Sequence, residues 1–259
     1  VKTIFNDVSF SKNLSLTGVN SINWARIMSQ VVYYCFAASR VDPQKKIDFC
    51  IPTGNFGNIY AGYVAKKIGI NIDKLIIATN VNDILHRTIT TGRYFKDKVY
   101  KTHSPSMDIQ VSSNFERLLY HIYKQPKIVE KQMLELKSNG FYEIEDVRLN
   151  KLKEDFSSGV ATEDETLLEI FNVYKNNKLA ICPHTAVGSF VSRKFLNKKK
   201  VMISLATAHP SKFVESVQKA LGTTIKLPDE MKKLYSKKEN VIDAPSEVSF
   251  FKNFLRKES

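Results

Sequence analysis

The sequence predicts an α/β protein built around a parallel sheet. Three observations carry that reading. Residues 47–80 hold an apolar run, Ile47-Asp48-Phe49-Cys50-Ile51, then a helix-like run over 58–68 closed by Gly69, then a second apolar run over 74–80. That is a strand–helix–strand unit. Val201-Met202-Ile203-Ser204-Leu205-Ala206 supplies a third clear strand. With 259 residues, 43% hydrophobic and 25% charged, the chain suits one large globular domain, or one domain with a smaller lobe.

The remaining elements follow from spacing and punctuation. Residues 1–20 are mixed and polar. Over 21–39, Ile22, Ala25, Ile27, Met28, Val31, Val32, Cys35 and Phe36 recur at helical spacing and predict a mostly buried helix, ended by Val41-Asp42-Pro43. Asn82 is placed to cap a short helix through Leu85 and Arg87, and residues 90–112 read as loop. Phe115, Leu118, Leu119 and Ile122 predict a helix over 112–123, and Pro126 opens another through Leu136. Thr162-Glu163-Asp164-Glu165 is a capping-box signature before a helix over 167–174. Pro210 opens a helix through Leu221, and residues 249–255 read as a last helix in a charged tail.

Composition removes several function classes. No apolar run approaches the ~20 residues of a membrane span. Val1-Lys2-Thr3-Ile4-Phe5 does not read as a signal peptide, and without an initiator Met the chain reads as part of a longer protein. Cys35, Cys50 and Cys182 are far apart and odd in number, so neither a disulfide framework nor a zinc site is expected. A reducing, cytoplasmic setting is the natural reading. The net charge of +13 is mostly Lys spread along the chain, with no nucleic-acid motif. It predicts a solvated surface, no nucleic-acid partner, and a field favouring an anionic substrate.

The chemistry-bearing stretch is Pro52-Thr53-Gly54-Asn55-Phe56-Gly57-Asn58, between the first strand and its helix. A strand, a Gly/Asn turn and a helix start can form an anion site from backbone N–H groups and the helix dipole. Neither the Walker A spacing nor Gly-x-Gly-x-x-Gly is present, so a nucleoside triphosphate or a dinucleotide is not indicated. Two glycines with Asn55 and Asn58 suit a compact phosphate monoester. On local pattern alone the segment reads equally as a phosphate cradle or as an ordinary Gly-Asn turn.

The segment resembles the phosphate loop of pyridoxal-phosphate enzymes of the tryptophan-synthase-β type, and within them the threonine synthase family. Four more stretches resemble that family, in its order. They are the run from Asn20 to Ile27; Ser106-Met107-Asp108-Ile109 with the run from Ser112 to Arg117; Cys182-Pro183-His184-Thr185-Ala186-Val187-Gly188; and the run from Ala206 to Phe213. Together they cover about residues 1 to 220, and are closer to the microbial and fungal form than to the plant form. The resemblance implies a fold type II α/β architecture, here an incomplete parallel-sheet domain with helical additions. Residues 1–46 would end a small lobe with its connecting helix, 47–225 would form the cofactor domain with an insertion around 90–160, and 226–259 a helical tail.

The resemblance also implies roles. Gly54, Asn55, Phe56, Gly57 and Asn58 would bind the phosphate of pyridoxal 5'-phosphate. Thr207 would face the pyridine nitrogen, where a hydroxyl moderates the ring as an electron sink; by itself it also reads as a residue leading into the helix at Pro210. Asn20, Ser21, Asn23 and Arg26 would bind O-phosphohomoserine, with Asn23 and Arg26 on one helix face. Arg26 reads equally as a surface or ion-paired residue. His184 and His209 read more readily as structural residues than as catalysts. Asp108 and Glu116 read as packing or ion-pair partners.

The family's Schiff-base lysine lies before the glycine loop in a Ser-x-Lys-Asp setting. Lys2 and Lys12 lack that setting, and Lys212 belongs to another motif. The implied reading is a C-terminal portion with no catalytic residue of its own, inactive alone, with exposed sheet edges and an open apolar face awaiting a missing N-terminal segment or partner chain. The complete enzyme would convert O-phosphohomoserine and water to threonine and phosphate. The alternatives are a threonine-synthase-like phospholyase, and a non-catalytic remnant or subunit of a split enzyme.

Overall fold

A computed structural model describes residues 3–4, 7–14, 16, 18 and 20–258; Lys2 lies outside the described residues. The chain divides into two compact units, Ser21–Lys226 and a smaller one made of Val1–Asn20 with Leu227–Ser259.

The larger unit is organised by a four-stranded sheet, all parallel, in the order β5-β2-β1-β6. Its strands are β1 (Ile47–Pro52), β2 (Ile72–Thr79), β5 (Phe156–Val160) and β6 (Val201–Ser204). Phe49 pairs with Leu75 on one side and Ile203 on the other. All six residues of β1 are buried, as expected of a parallel strand covered on both faces. Alternate residues serve opposite faces. Phe49, Ile51, Leu75 and Ile77 meet one layer, which includes α1 (Trp24–Ala38) and α2 (Gly57–Lys67). Cys50, Ile76 and Ala78 meet Val187 and Val191 of α8 (Pro183–Arg193). At Gly188 a Cβ would lie 2.9 Å from Pro52 Cγ, so this glycine lets α8 lie directly on β1.

Around the sheet stand α3 (Ile84–Thr91), α4 (Phe115–Tyr123), α5 (Pro126–Ser138), α6 (Asp146–Asp155), α7 (Glu163–Asn177) and α9 (Val214–Leu221). The capping box of α7 forms as its sequence predicts, with reciprocal bonds between Thr162 and Glu165. Four expectations need correction. Asn82 does not cap α3. Asp83 precedes that helix, and the Asn82 amide donates to Tyr100 O (2.8 Å) and Asp108 Oδ1 (3.1 Å). The 90–112 stretch is not all loop. It holds β3 (Arg93–Phe95), paired antiparallel with β4 (Phe141–Glu143), where Tyr94 and Tyr142 stack at 4.8 Å. Pro210 opens a 3-10 turn, Pro210–Phe213, before α9 begins. Finally, α1 is not mostly buried. Ile27 and Tyr34 face the core, while Met28, Val32, Tyr33 and Phe36 stand exposed, because the layer below meets only one stripe of the helix.

The amino ends of the strands carry a charge network. Lys200, just before β6, pairs with Asp73 and with the buried Asp48 (3.4 Å), and Lys46 pairs with Asp73 (3.4 Å). Lys66 and Lys67 hold Asp155 at 2.6 and 3.3 Å.

The smaller unit contains helices Val8–Leu14, Asp229–Tyr235 and Val248–Glu258. Phe10 is buried beneath Lys252 and Arg256, and Lys252 pairs with Asp7. No helix among the described residues is long and apolar enough to cross a membrane.

Candidate functional site

The carboxyl ends of the neighbouring strands β1 and β6 open a crevice, the usual ligand position in an open parallel sheet. The loop after β1 is built to present amides. Ser112 Oγ donates to Gly54 O (2.7 Å), and the Asn114 backbone N and Nδ2 both donate to Asn55 O (3.1 and 3.0 Å). With those carbonyls held, the following trans peptides turn their N–H groups the other way. Phe56 has φ 63°, a costly left-handed conformation for a bulky residue. Its ring is buried against Phe115 and Phe156, and that packing holds the turn. α2 then begins with no side-chain cap, leaving first-turn N–H groups without a partner inside the helix.

The two glycines differ. A Cβ on Gly54 would lie 2.7 Å from Ser106 O, so the fold itself requires glycine there. A Cβ on Gly57 would meet Asn114 Nδ2 at 3.4 Å, an ordinary contact, so internal packing does not explain that glycine.

Thr207 follows β6 and reaches the same crevice. Its N–H donates to Thr185 Oγ1 (3.2 Å), and its hydroxyl lies 3.6 Å from Cys182 Sγ, both at the start of α8. A cavity of about 210 Å³ is lined by Gly54, Ser106, His184, Thr207 and Lys212. A second, of about 360 Å³, is lined by Arg26, Gln30, Tyr33, Asn58 and Thr207. Thr207 borders both. Two buried polar atoms left without a protein partner belong to residues lining these cavities: Gln30 Oε1 and His184 Nδ1. A polar ligand is the physical remedy for such atoms.

The structure thus brings Gly54, Asn58, Thr207 and Arg26 to one crevice. Asn55 and Phe56 can offer backbone only, since the Phe56 ring belongs to the core. Tyr34 OH donates to Asn58 O (2.6 Å) and Oδ1 (3.1 Å). Asn23 is the N-cap of α1, its side chain accepting from Ala25 N (2.9 Å), rather than a partner of Arg26 on the helix face. Ser21 offers its carbonyl to Asn114 Nδ2 (2.8 Å). Asn20 ends the first stretch of the smaller unit. His209 caps the Pro210 turn. Asp108 accepts from Asn80, Asn82 and Thr102, and Glu116 lines a separate groove.

Sequence reasoning missed Gln30, Thr185 and Cys182 as site residues. Gln30 carried a usable signal, lying one helical turn after Arg26. The two other cysteines offer no hint of Cys182's state. Burial pushes the Cys50 thiol up. At Cys182 burial acts the same way, but the nearby His184 ring and the Thr185 and Thr207 donors outweigh it and bring the thiol down to about 6.

A family model for "Threonine synthase, C-terminal" matches residues 185–255. The chain is 41% identical to the threonine synthase of Pseudomonas aeruginosa over 259 residues, covering 98% of this chain and 55% of that protein. It superposes on the PLP-bound threonine synthase of Brucella melitensis with a TM-score of 0.93 and 45% identity, over 100% of this chain and 56% of that one. Along nearly its whole length the chain is similar to threonine synthases. The yeast threonine synthase structure agrees, with a TM-score of 0.89 and 38% identity over 99% of this chain. The architecture is therefore that of the fold type II enzymes, as the loop motif implied. The chain spans about half the length of the curated relatives it matches.

Proposed function

We propose that this chain carries the pyridoxal-phosphate site of a threonine synthase, whose whole activity converts O-phosphohomoserine and water to threonine and phosphate. The observation supporting it is the convergence of the uncapped α2 amides and Thr207 on one crevice, in a chain so similar to a PLP-bound threonine synthase. The residues present fit the group. A phosphate monoester suits the amides from Gly54 to Asn58 and the glycine at 57 that packing leaves unexplained, while the orphaned polar atoms await partners.

Bound there, pyridoxal phosphate supplies an electron sink for carbanion chemistry at an amino-acid substrate. The chain's own groups do the rest. The first turn of α2 holds the phosphate tail, and Thr207 sets the environment of the ring nitrogen. Arg26, exposed beside Asn58 and Thr207, offers its guanidinium fork to a substrate phosphate or carboxylate. Lys212, on the adjoining cavity, adds positive field. Asn20, Ser21 and Asn23 then act by shaping the segment before α1, with Asn23 fixing its start. The covalent lysine is assigned to sequence outside this chain, so activity requires the rest of the enzyme.

Titrating the chain with pyridoxal phosphate, followed by tyrosine and cofactor fluorescence, tests the site. Gly57→Leu should weaken binding at least tenfold; unchanged affinity would remove the loop assignment. Combining the chain with the complementary part of the Pseudomonas enzyme should release phosphate and form threonine together. Phosphate release without threonine would favour a phospholyase.

A further inference from the structure

The sulfur of Cys182 is surrounded by groups able to donate to it. Thr207 N–H donates to Thr185 Oγ1 (3.2 Å), which leaves the Thr185 proton available to Cys182 Sγ, 3.1 Å away. Thr185 N–H also donates to Sγ (3.4 Å), making Cys182 the N-cap of the 11-residue helix α8. Ser106 N–H donates to His184 Nε2 (3.2 Å), which assigns the imidazole proton to Nδ1. That Nδ1–H is buried and makes no hydrogen bond of good geometry, yet the His184 ring is among the groups that stabilise the Cys182 anion. The fourth donor is the Thr207 hydroxyl, at 3.6 Å.

Amides at a helix start, a buried imidazole N–H and two hydroxyls all favour the charged form of a thiol. The low titration of Cys182, about 6, agrees with that geometry. Cys50 is the internal control. It too is buried, but its sulfur donates to the Gly188 carbonyl (3.1 Å), and burial pushes its thiol upward.

A thiolate changes what Thr207 can do. A threonine hydroxyl has one proton and two lone pairs. If Sγ takes the proton, the oxygen faces the crevice as an acceptor. We propose that Cys182 is a buried thiolate that claims the Thr207 proton, so that Thr207 presents a lone pair to the cofactor ring nitrogen and favours that nitrogen's protonated form. Cys182 is thus a positioning residue acting through Thr207. This rests on the reading of Thr207 as the ring-nitrogen contact. It reverses one expectation attached to that reading: a hydroxyl backed by an anion strengthens the ring as an electron sink instead of moderating it.

Two measurements test it. In the chain without cofactor, the ultraviolet difference between wild type and Cys182→Ser at neutral pH should contain one thiolate band, since Cys35 and Cys50 cancel. Serine retains N-cap ability, so the fold is kept. No band overturns the proposal. The second measurement is the nitrogen-15 NMR shift of pyridoxal phosphate labelled at its ring nitrogen and bound to the chain. The wild-type signal should lie on the protonated, upfield side. Both Cys182→Ser and Thr207→Val should move it downfield. Movement with Thr207→Val alone overturns the relay and leaves the Thr207 reading standing. Movement with Cys182→Ser alone overturns the relay through Thr207. No movement in either variant, or no bound signal in any protein, removes the reading of Thr207 and the relay with it.

Discussion

The two ends of the same parallel sheet are built on opposite principles. At the amino ends, charges meet opposites: Lys200 with Asp48 and Asp73, Lys46 with Asp73, Lys66 and Lys67 with Asp155. At the carboxyl ends, α2 starts uncapped, and two buried polar atoms of the cavity-lining residues lack partners. Phe56 also holds a left-handed turn there. The contrast separates satisfaction from readiness. A group already paired contributes stability, whereas an oriented but unpaired group is free to meet a ligand.

That contrast can be broken at four places. The largest effect is expected from Gly54→Val. Its side chain would collide with the Ser106 and Met107 backbone, which cannot swing away, so stability should fall by about 3 kcal/mol and cofactor binding should be lost. A urea melt and a cofactor titration check both; a variant that melts and binds normally would show that the loop tolerates displacement.

Next is the linkage at Cys182. Its thiol is lowered from 9.0 to about 6 on folding, so between those values the unfolded chain binds more protons than the folded one. Stability should therefore rise with pH across that window, with a slope of at most about 1.4 kcal/mol per pH unit, and be lost as pH falls through about 6. Cys182→Ser should flatten the profile, and an unchanged slope would assign it elsewhere.

At the amino ends, Lys200→Met should cost about 1–2 kcal/mol, because Asp48 is buried while Lys200 is partly exposed. Cofactor affinity should stay constant; a parallel loss would mean the two edges are not independent. The smallest effect is expected at a helix start that is capped. Thr162→Ala removes half of the α7 capping box and should cost about 1 kcal/mol by thermal melting, again without touching affinity.

Much of the scaffold was readable because its signals are local. β1, α2 and β2 appear in order because an apolar run, a Gly/Asn turn and a helical period each need only neighbouring residues. The capping box of α7 is equally local. β5 escaped notice because Phe156-Ser157-Ser158-Gly159-Val160 is mostly small and polar, and becomes a strand by pairing with β2. β3 and β4 have three residues each, too few for periodicity, and are held by stacked tyrosines. The spacing of α1 predicted a mostly buried helix, but only the layer beneath it could decide which stripe is covered.

The site divides in the same way. The sequence by itself determined the order of the elements, the glycine loop at the end of the first strand, and the motif set that resembles the threonine synthases. Only the tertiary structure decided that Phe56 lies in the core, that Gly54 answers to packing while Gly57 does not, and that Gln30 borders the crevice. It also decided that Cys50 and Cys182, the same residue type and both buried, titrate in opposite directions. The physical reason is that a local pattern sets backbone conformation, whereas the charge and availability of a side chain depend on donors delivered by distant segments. Those around Cys182 come from the start of α8 and from the strand end at Thr207, and no spacing in the chain records that they meet.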